Sequence, residues 1–136
     1  MHSLPLTNDI EQMAGLEPFV QEITEIFNLP EEFAFSLSLA LDETVANVVM
    51  YAYPGQTGMP LHVEADGTPG KKLIIRIIDE GVPFDPTQEA PEVDTTLDTE
   101  DREIGGLGLF LVRECMDEVS YERKGNTNIL TLTKNF

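Results

Sequence analysis

From Glu31 to about Tyr51 the chain carries neither glycine nor proline, and Ala, Leu, Phe and Val dominate. That pattern predicts a long helix, mostly buried, which the turn signal Pro54-Gly55 closes. Phe33, Phe35, Leu37, Leu39 and Leu41 are assigned to the core, and Tyr51 either closes a pocket or covers that core. One polar stretch interrupts the helix, Asp42-Glu43-Thr44-Val45-Ala46-Asn47. Glu43 and Asn47 stand four apart, hence on one face and one turn from each other.

The segments around this helix alternate between the two periods of regular structure. Leu4-Pro5-Leu6-Thr7 reads as an edge strand, where Pro5 does no harm. From Asp9, the residues Ile10, Met13, Leu16, Phe19, Val20, Ile23, Ile26 and Phe27 recur every three or four positions, which predicts a helix with one buried face, capped by Asn8 and ended by Asn28-Leu29-Pro30. Leu61, Val63 and Ala65 alternate with His62, Glu64 and Asp66 as a half-buried strand, and Lys72 to Asp79 suits a central strand. Leu107 to Met116 is predicted helical, with Leu109, Val112, Cys115 and Met116 at core spacing. Glu118 to Arg123 and Thr127 to Lys134 flank a hairpin signal at Lys124-Gly125-Asn126. The order predicts an α+β fold, a two-layer sandwich with helices on one face of a mixed sheet.

Length and composition narrow the classes. With 136 residues, 41% of them hydrophobic, residues 1–136 are read as a single domain able to bury a core without disulfides or a structural metal. Cys115 is the one cysteine, and His2 and His62 are the two histidines, so neither an internal disulfide nor a Cys/His zinc cluster is available. Cys115 is read as a core packer in a reduced setting. The N-terminus lacks a signal-peptide pattern, and no long uninterrupted apolar run suggests a membrane span, which points to a cytoplasmic protein. The net charge of −17 argues against direct binding of nucleic acid. A phosphate ligand on so acidic a chain needs a divalent cation, backbone amides and a helix N-terminus to outweigh the overall field.

Three clusters carry potential chemistry. Glu43 and Asn47 either face solvent, or supply a proton acceptor and a hard oxygen for Mg²⁺, whose other ligands are waters and phosphates. Asp79-Glu80-Gly81-Val82-Pro83 ends the central strand. It is either a plain turn, or a site where the Asp79 carboxylate accepts a hydrogen bond from the exocyclic amine of adenine, with Gly81 permitting close approach of a flat ligand. Gly105-Gly106-Leu107-Gly108-Leu109 joins a long acidic loop to a helix start. It is either a hinge or a nest of backbone amides for phosphate, and no Walker lysine follows it. The loop holds eight acids between Asp85 and Glu103 with one base, Arg102. Its length and composition predict a mobile functional segment.

In this order the Glu43-x-x-x-Asn47 box, the Asp79-x-Gly81-x-Pro83-Phe84-Asp85-Pro86 box and the stretch GGLGLFLVRECMDEV resemble the Bergerat-type ATPase fold shared by DNA gyrase, sensor histidine kinases and mismatch-repair proteins. The resemblance covers nearly the whole chain and is most specific to the RsbW-type branch of anti-sigma-factor serine/threonine kinases. It implies ATP and Mg²⁺ as ligands, Glu43 as the catalytic base and Asn47 as the Mg²⁺ ligand. It implies adenine held by Asp79, Gly81 and Pro83, and phosphates covered by Gly105, Gly106, Leu107, Gly108, Leu109 and a lid at about 85–104. The implied partners are a small STAS-domain anti-anti-sigma protein, which receives the phosphate, and a sigma factor; homodimers are common in the family. Ile104 stands where members often place a basic residue, with Arg102 two positions earlier. That departure keeps open an alternative: a nucleotide-gated protein-binding module with little or no phosphotransfer.

Overall fold

A computed structural model describes residues 2–83 and 108–136, the side chains of the second segment from residue 112 onward. The acidic loop, the expected lid and Gly105, Gly106 and Leu107 lie outside the described residues.

The chain forms β1 (His2–Thr7), a 3-10 turn (Ile10–Gly15), α1 (Leu16–Ile26), α2 (Glu31–Tyr51), β2 (Pro60–Thr68), β3 (Lys72–Asp79), α3 (Gly108–Cys115), β4 (Glu118–Lys124) and β5 (Thr127–Asn135). The five strands make one sheet in the order β1-β2-β3-β5-β4. Period-two alternation buries Leu61, Val63 and Ala65 of β2, Leu73, Ile75 and Ile77 of β3, and Leu130 and Leu132 of β5. These residues form one hydrophobic cluster with Phe19, Val20 and Ile23 of α1, with Leu37, Leu41 and Val45 of α2, and with Val112 of α3. The α+β sandwich with helices on one sheet face is therefore as expected.

Among the described residues the sheet is not mixed, however: every strand pair is antiparallel. The long connection from β3 through α3 brings β4 back in the direction of β3. The return strand β5 then inserts between them, so two strands of like direction never become neighbours. The β4–β5 turn is the expected tight hairpin, in which Lys124 pairs with Thr127 and Gly125 takes a φ of 60°. A glycine serves there because that region of backbone space penalises a Cβ.

Four expectations for the helical layer are corrected. The first long helix begins at Leu16, not near Asp9, after a 3-10 turn. Pro18 accounts for this. A helix running from Asp9 would place it in the interior, where its ring clashes with the carbonyl four residues back, whereas in the first turn its missing N–H costs nothing. Ile10 is consequently 73% exposed. Asn8 is not a helix cap either. Its amide donates to the Gln56 carbonyl at 2.8 Å, and its Oδ1 accepts from the Met59 amide at 2.9 Å. The side chain thus ties the end of β1 to the irregular stretch before β2.

Phe35 and Leu39, assigned to the core, are 68% and 41% exposed. The series 33, 35, 37, 39, 41 has the period of a strand; on a helix, residues two apart point about 200° from each other. Only Phe33, Leu37 and Leu41, spaced by four, share the buried face. By length and composition alone α2 could cross a membrane. The face it turns to the sheet accounts for only part of its apolar content, since Phe35, Leu39 and Met50 are exposed, so the helix is not mostly buried as expected.

Candidate functional site

Asp79 is the last residue of β3 and faces inward with the core, 5% exposed. A carboxylate so placed must be hydrogen-bonded. Its Oδ1 accepts from the Gly81 amide at 2.8 Å and from the Asn128 side-chain amide at 2.8 Å. Its Oδ2 has no hydrogen-bond partner among the described residues.

Asn128 did not stand out in the sequence, although the signal was there. It sits on the inward side of β5 in step with Leu130 and Leu132, a polar residue at a position the strand period assigns to the core. It is 4% exposed and lies directly across from Asp79 in the ladder. Its amide also donates to the Val82 carbonyl at 2.8 Å, and its Oδ1 accepts from the Tyr121 hydroxyl and from Nη1 of Arg123 at 3.1 Å. Both its donor hydrogens and both its acceptor lone pairs are thus occupied. Arg123 further donates to the Gly81 carbonyl at 2.6 Å, so β4, β5 and the turn after β3 are joined by one polar network.

The turn itself rests on the end of α2. The Val82 amide donates to the Ala52 carbonyl at 2.8 Å. A Cβ built on Gly81 would lie 2.2 Å from that carbonyl oxygen. The approach of the end of helix α2 to the turn by itself requires glycine here. Tyr53 braces the same corner: its hydroxyl accepts from the Glu80 amide at 2.7 Å and donates to the Pro60 carbonyl. Burial, with the nearby carboxylates of Asp79 and Glu80 adding to it, pushes the phenol above its ordinary value. It therefore remains a donor at neutral pH.

Asn47 lies five residues before Ala52, about 7.5 Å along the helix axis, and Glu43 one further turn back. The packing of Gly81 on Ala52 thus brings the end of the Asp79 turn against the end of the helix that carries both residues. Glu43 and Asn47 are each partly exposed, and neither side chain bonds to another described residue. Pro83 closes the turn and is exposed. Gly108 and Leu109 open α3, which packs against α2. A cleft of about 680 Å³ opens beside the turn, lined by Tyr53, Gln56, Met59, Glu80, Pro83 and Arg123 among others. Neither Asp79 nor Asn47 lines it. Tyr51 is exposed and does not cover the core. Among the described residues no three His, Cys, Asp or Glu side chains gather as a metal cluster.

A sheet whose central strand ends in a buried carboxylate beside a long helix is the architecture of ATPase domains of the histidine kinase type. The family model of the histidine kinase-like ATPase domain matches residues 6–134. The histidine kinase domain of the Erythrobacter litoralis EL346 blue-light activated kinase has a similar fold, with a TM-score of 0.56 over 90% of this chain and 60% of its own at 18% identity. In sequence, the serine/threonine-protein kinase BtrW of Bordetella bronchiseptica is 36% identical over 73% of this chain and 68% of its own length. The serine-protein kinase RsbW of Listeria monocytogenes serovar 1/2a is 35% identical over 70% of this chain and 62% of its own. The chain belongs to the histidine kinase-like ATPase family, in its RsbW-type branch of serine-protein kinases.

Proposed function

We propose that the chain is an ATP- and Mg²⁺-dependent protein serine/threonine kinase of the anti-sigma-factor type. In this reading it phosphorylates a small STAS-domain partner and regulates a sigma factor in the cytoplasm. The observation that carries the reading is the Asp79 carboxylate: buried, held from one side by Gly81 and Asn128, and left with one oxygen as an acceptor. An acceptor fixed in that way suits the exocyclic amine of adenine and disfavours a carbonyl at the same position.

The other roles follow from placement. Asn47, on the helix face next to the turn, offers its side-chain oxygen to Mg²⁺, which keeps waters and phosphate oxygens as its remaining ligands. Bound there, Mg²⁺ would neutralise charge on the phosphates in a strongly acidic chain. Glu43, one turn away and free of protein partners among the described residues, accepts the proton of the attacking hydroxyl. Gly81 and Pro83 shape the adenine turn. Gly105, Gly106, Leu107, Gly108 and Leu109 lead into the N-terminus of α3, where backbone amides suit phosphate.

The aligned relatives extend beyond the matched region, so the partner and the sigma-factor role rest on likeness to them. Ile104 in place of a basic residue favours a second reading, a nucleotide-gated binding module without transfer. A thermal-shift titration with ATP, ADP and GTP, with and without Mg²⁺, tests the ligand: stabilisation should be largest with Mg-ATP and small with GTP. Labelled ATP offered together with a STAS-domain protein then separates the readings. Label in the partner supports the kinase, and intact ATP after a single-turnover incubation leaves only the binder.

A further inference from the structure

The cleft beside the Asp79 turn is walled by segments that are each tied in place. The Asn8 side chain holds the Gln56 carbonyl and the Met59 amide, at 2.8 and 2.9 Å, and the Gln56 amide donates to the Tyr53 carbonyl at 3.1 Å. On the side of the turn, the Glu80 amide donates to the Tyr53 hydroxyl and the Gly81 carbonyl accepts from Arg123 Nη1. A loop and a turn fastened in this way shape a hollow of about 680 Å³ before any ligand arrives, within the range of small-molecule sites, about 300–1,000 Å³. Its lining divides by chemistry. Met59, Val82 and Pro83 offer apolar surface, and Val82 is 46% exposed. Arg123 and Glu80 are the charged lining residues, and among the described residues no ion pair joins them. Arg123 gives Nε to the Gly125 carbonyl and Nη1 to Gly81 and Asn128, which fixes the guanidinium and leaves Nη2 without a hydrogen bond among the described residues. Glu80 is exposed and is held through its backbone amide, not its carboxylate.

We propose that this cleft binds a free apolar α-amino acid of the size of leucine, methionine or phenylalanine, with its carboxylate on Arg123, its ammonium on Glu80 and its side chain against Met59 and Val82. The charge of the chain argues for a zwitterion over a plain anion. A net charge of −17 repels a negative ligand even where one arginine is fixed to receive it. A zwitterion adds no net charge and pairs with both charged groups of the lining at once. Discrimination among amino acids falls to the apolar wall, where a glutamate side chain would be desolvated against Met59 and Val82 without a partner. Neither Asp79 nor Asn47 lines the cleft, so the proposal is independent of the nucleotide reading.

The experiment follows backbone amide signals of the wild-type chain by NMR during titration with L-leucine, L-methionine or L-phenylalanine. Three further probes each lack one recognised element: N-acetyl-L-leucine has no ammonium, L-leucinamide no carboxylate, and L-glutamate no apolar side chain. At least one apolar amino acid is expected to shift the Gln56, Glu80 and Val82 signals to saturation. Each of the three probes should bind about tenfold or more weakly, the scale of one lost hydrogen bond to a charged group or one unburied apolar side chain. Glu80→Gln leaves the backbone contact with Tyr53 in place, and it should weaken L-leucine by about the same factor without weakening N-acetyl-L-leucine. No saturation with any of the apolar amino acids, or saturation that maps outside the cleft, overturns the proposal. Equal affinity for L-leucine and its two blocked forms overturns it too, as does a Glu80→Gln chain that binds L-leucine as tightly as the wild type. Tighter binding of an end-blocked leucine peptide than of L-leucine would assign the cleft to a protein segment and overturn it as well.

Discussion

Asp79 and Asn128 face each other across adjacent strands, 49 positions apart in sequence, and share a 2.8 Å hydrogen bond at the inner end of β3. Because both are buried, removing one strands the other. Asn128→Ala should cost about 1–3 kcal/mol, since it leaves the Tyr121 hydroxyl, Arg123 and half of the Asp79 carboxylate short of partners. Urea unfolding should show this as a lower midpoint with an unchanged slope.

Gly81→Ala tests the contact between the turn and helix α2. The added Cβ meets backbone, which cannot swing aside as a long side chain would, so either the Val82–Ala52 hydrogen bond opens or the strand end shifts. Overpacking of this kind costs about 1–3 kcal/mol. Faster exchange of the Val82 amide in the variant would locate the damage; protection equal to the wild type would contradict the crowding described here.

On the proposed mechanism, Glu43→Ala removes the proton acceptor and leaves the adenine turn intact. Transfer to a STAS-domain substrate should slow by about 10²–10⁴-fold while ATP affinity is largely kept. Loss of binding in parallel with rate would move Glu43 from chemistry to ligand holding.

Cys115 is half-buried, and burial pushes its thiol above the ordinary value, with Lys134 opposing only in part. A raised value means less thiolate at neutral pH, and the thiolate is the reactive form. Iodoacetamide at pH 7.5 should therefore label the native chain much more slowly than the urea-unfolded chain. Equal rates would argue that Cys115 is activated.

Asp42, on the outer side of α2, has its carboxyl raised from 3.8, first by partial burial and then by the charge of Glu17. The folded state then binds this proton more readily than the unfolded state, so ionisation opposes folding. The penalty is present above the raised value and fades as pH falls through it toward the ordinary one. Asp42→Asn should stabilise the chain slightly at pH 7, within about 0.5 kcal/mol for so exposed a site. Below about pH 3 it should leave stability nearly unchanged, where the carboxyl is largely protonated in both states. Melting temperatures at the two pH values check the sign.

Much of the element list was legible because it depends on short-range pattern. The limits of α2, β2, β3 and the β4–β5 hairpin follow from Gly and Pro punctuation and from the two side-chain periods. The errors had local causes as well. Pro18 moves the start of α1, and the every-second-residue series of apolar side chains from Phe33 to Leu41 suggests more core than a helix, which buries only every third or fourth residue, can supply. In the candidate site, Asp79, Gly81 and Asn47 were recognisable by motif. The partner of Asp79 was not, since nothing near it in the chain announces Asn128.

The amino-acid order alone determined the periodic segments, the strong acidity and the three clusters whose arrangement resembles an ATPase, since each is a property of neighbours along the chain. Tertiary structure decided the strand order, and with it the meeting of β3 and β5. Only when β5 inserts between β3 and β4 do Asn128, Tyr121 and Arg123 converge on the Asp79 turn, and the closeness of Ala52 to Gly81 needs α2 laid on the sheet. Contacts of that kind are set by how whole elements pack to bury their apolar faces, and no local window of sequence contains both partners.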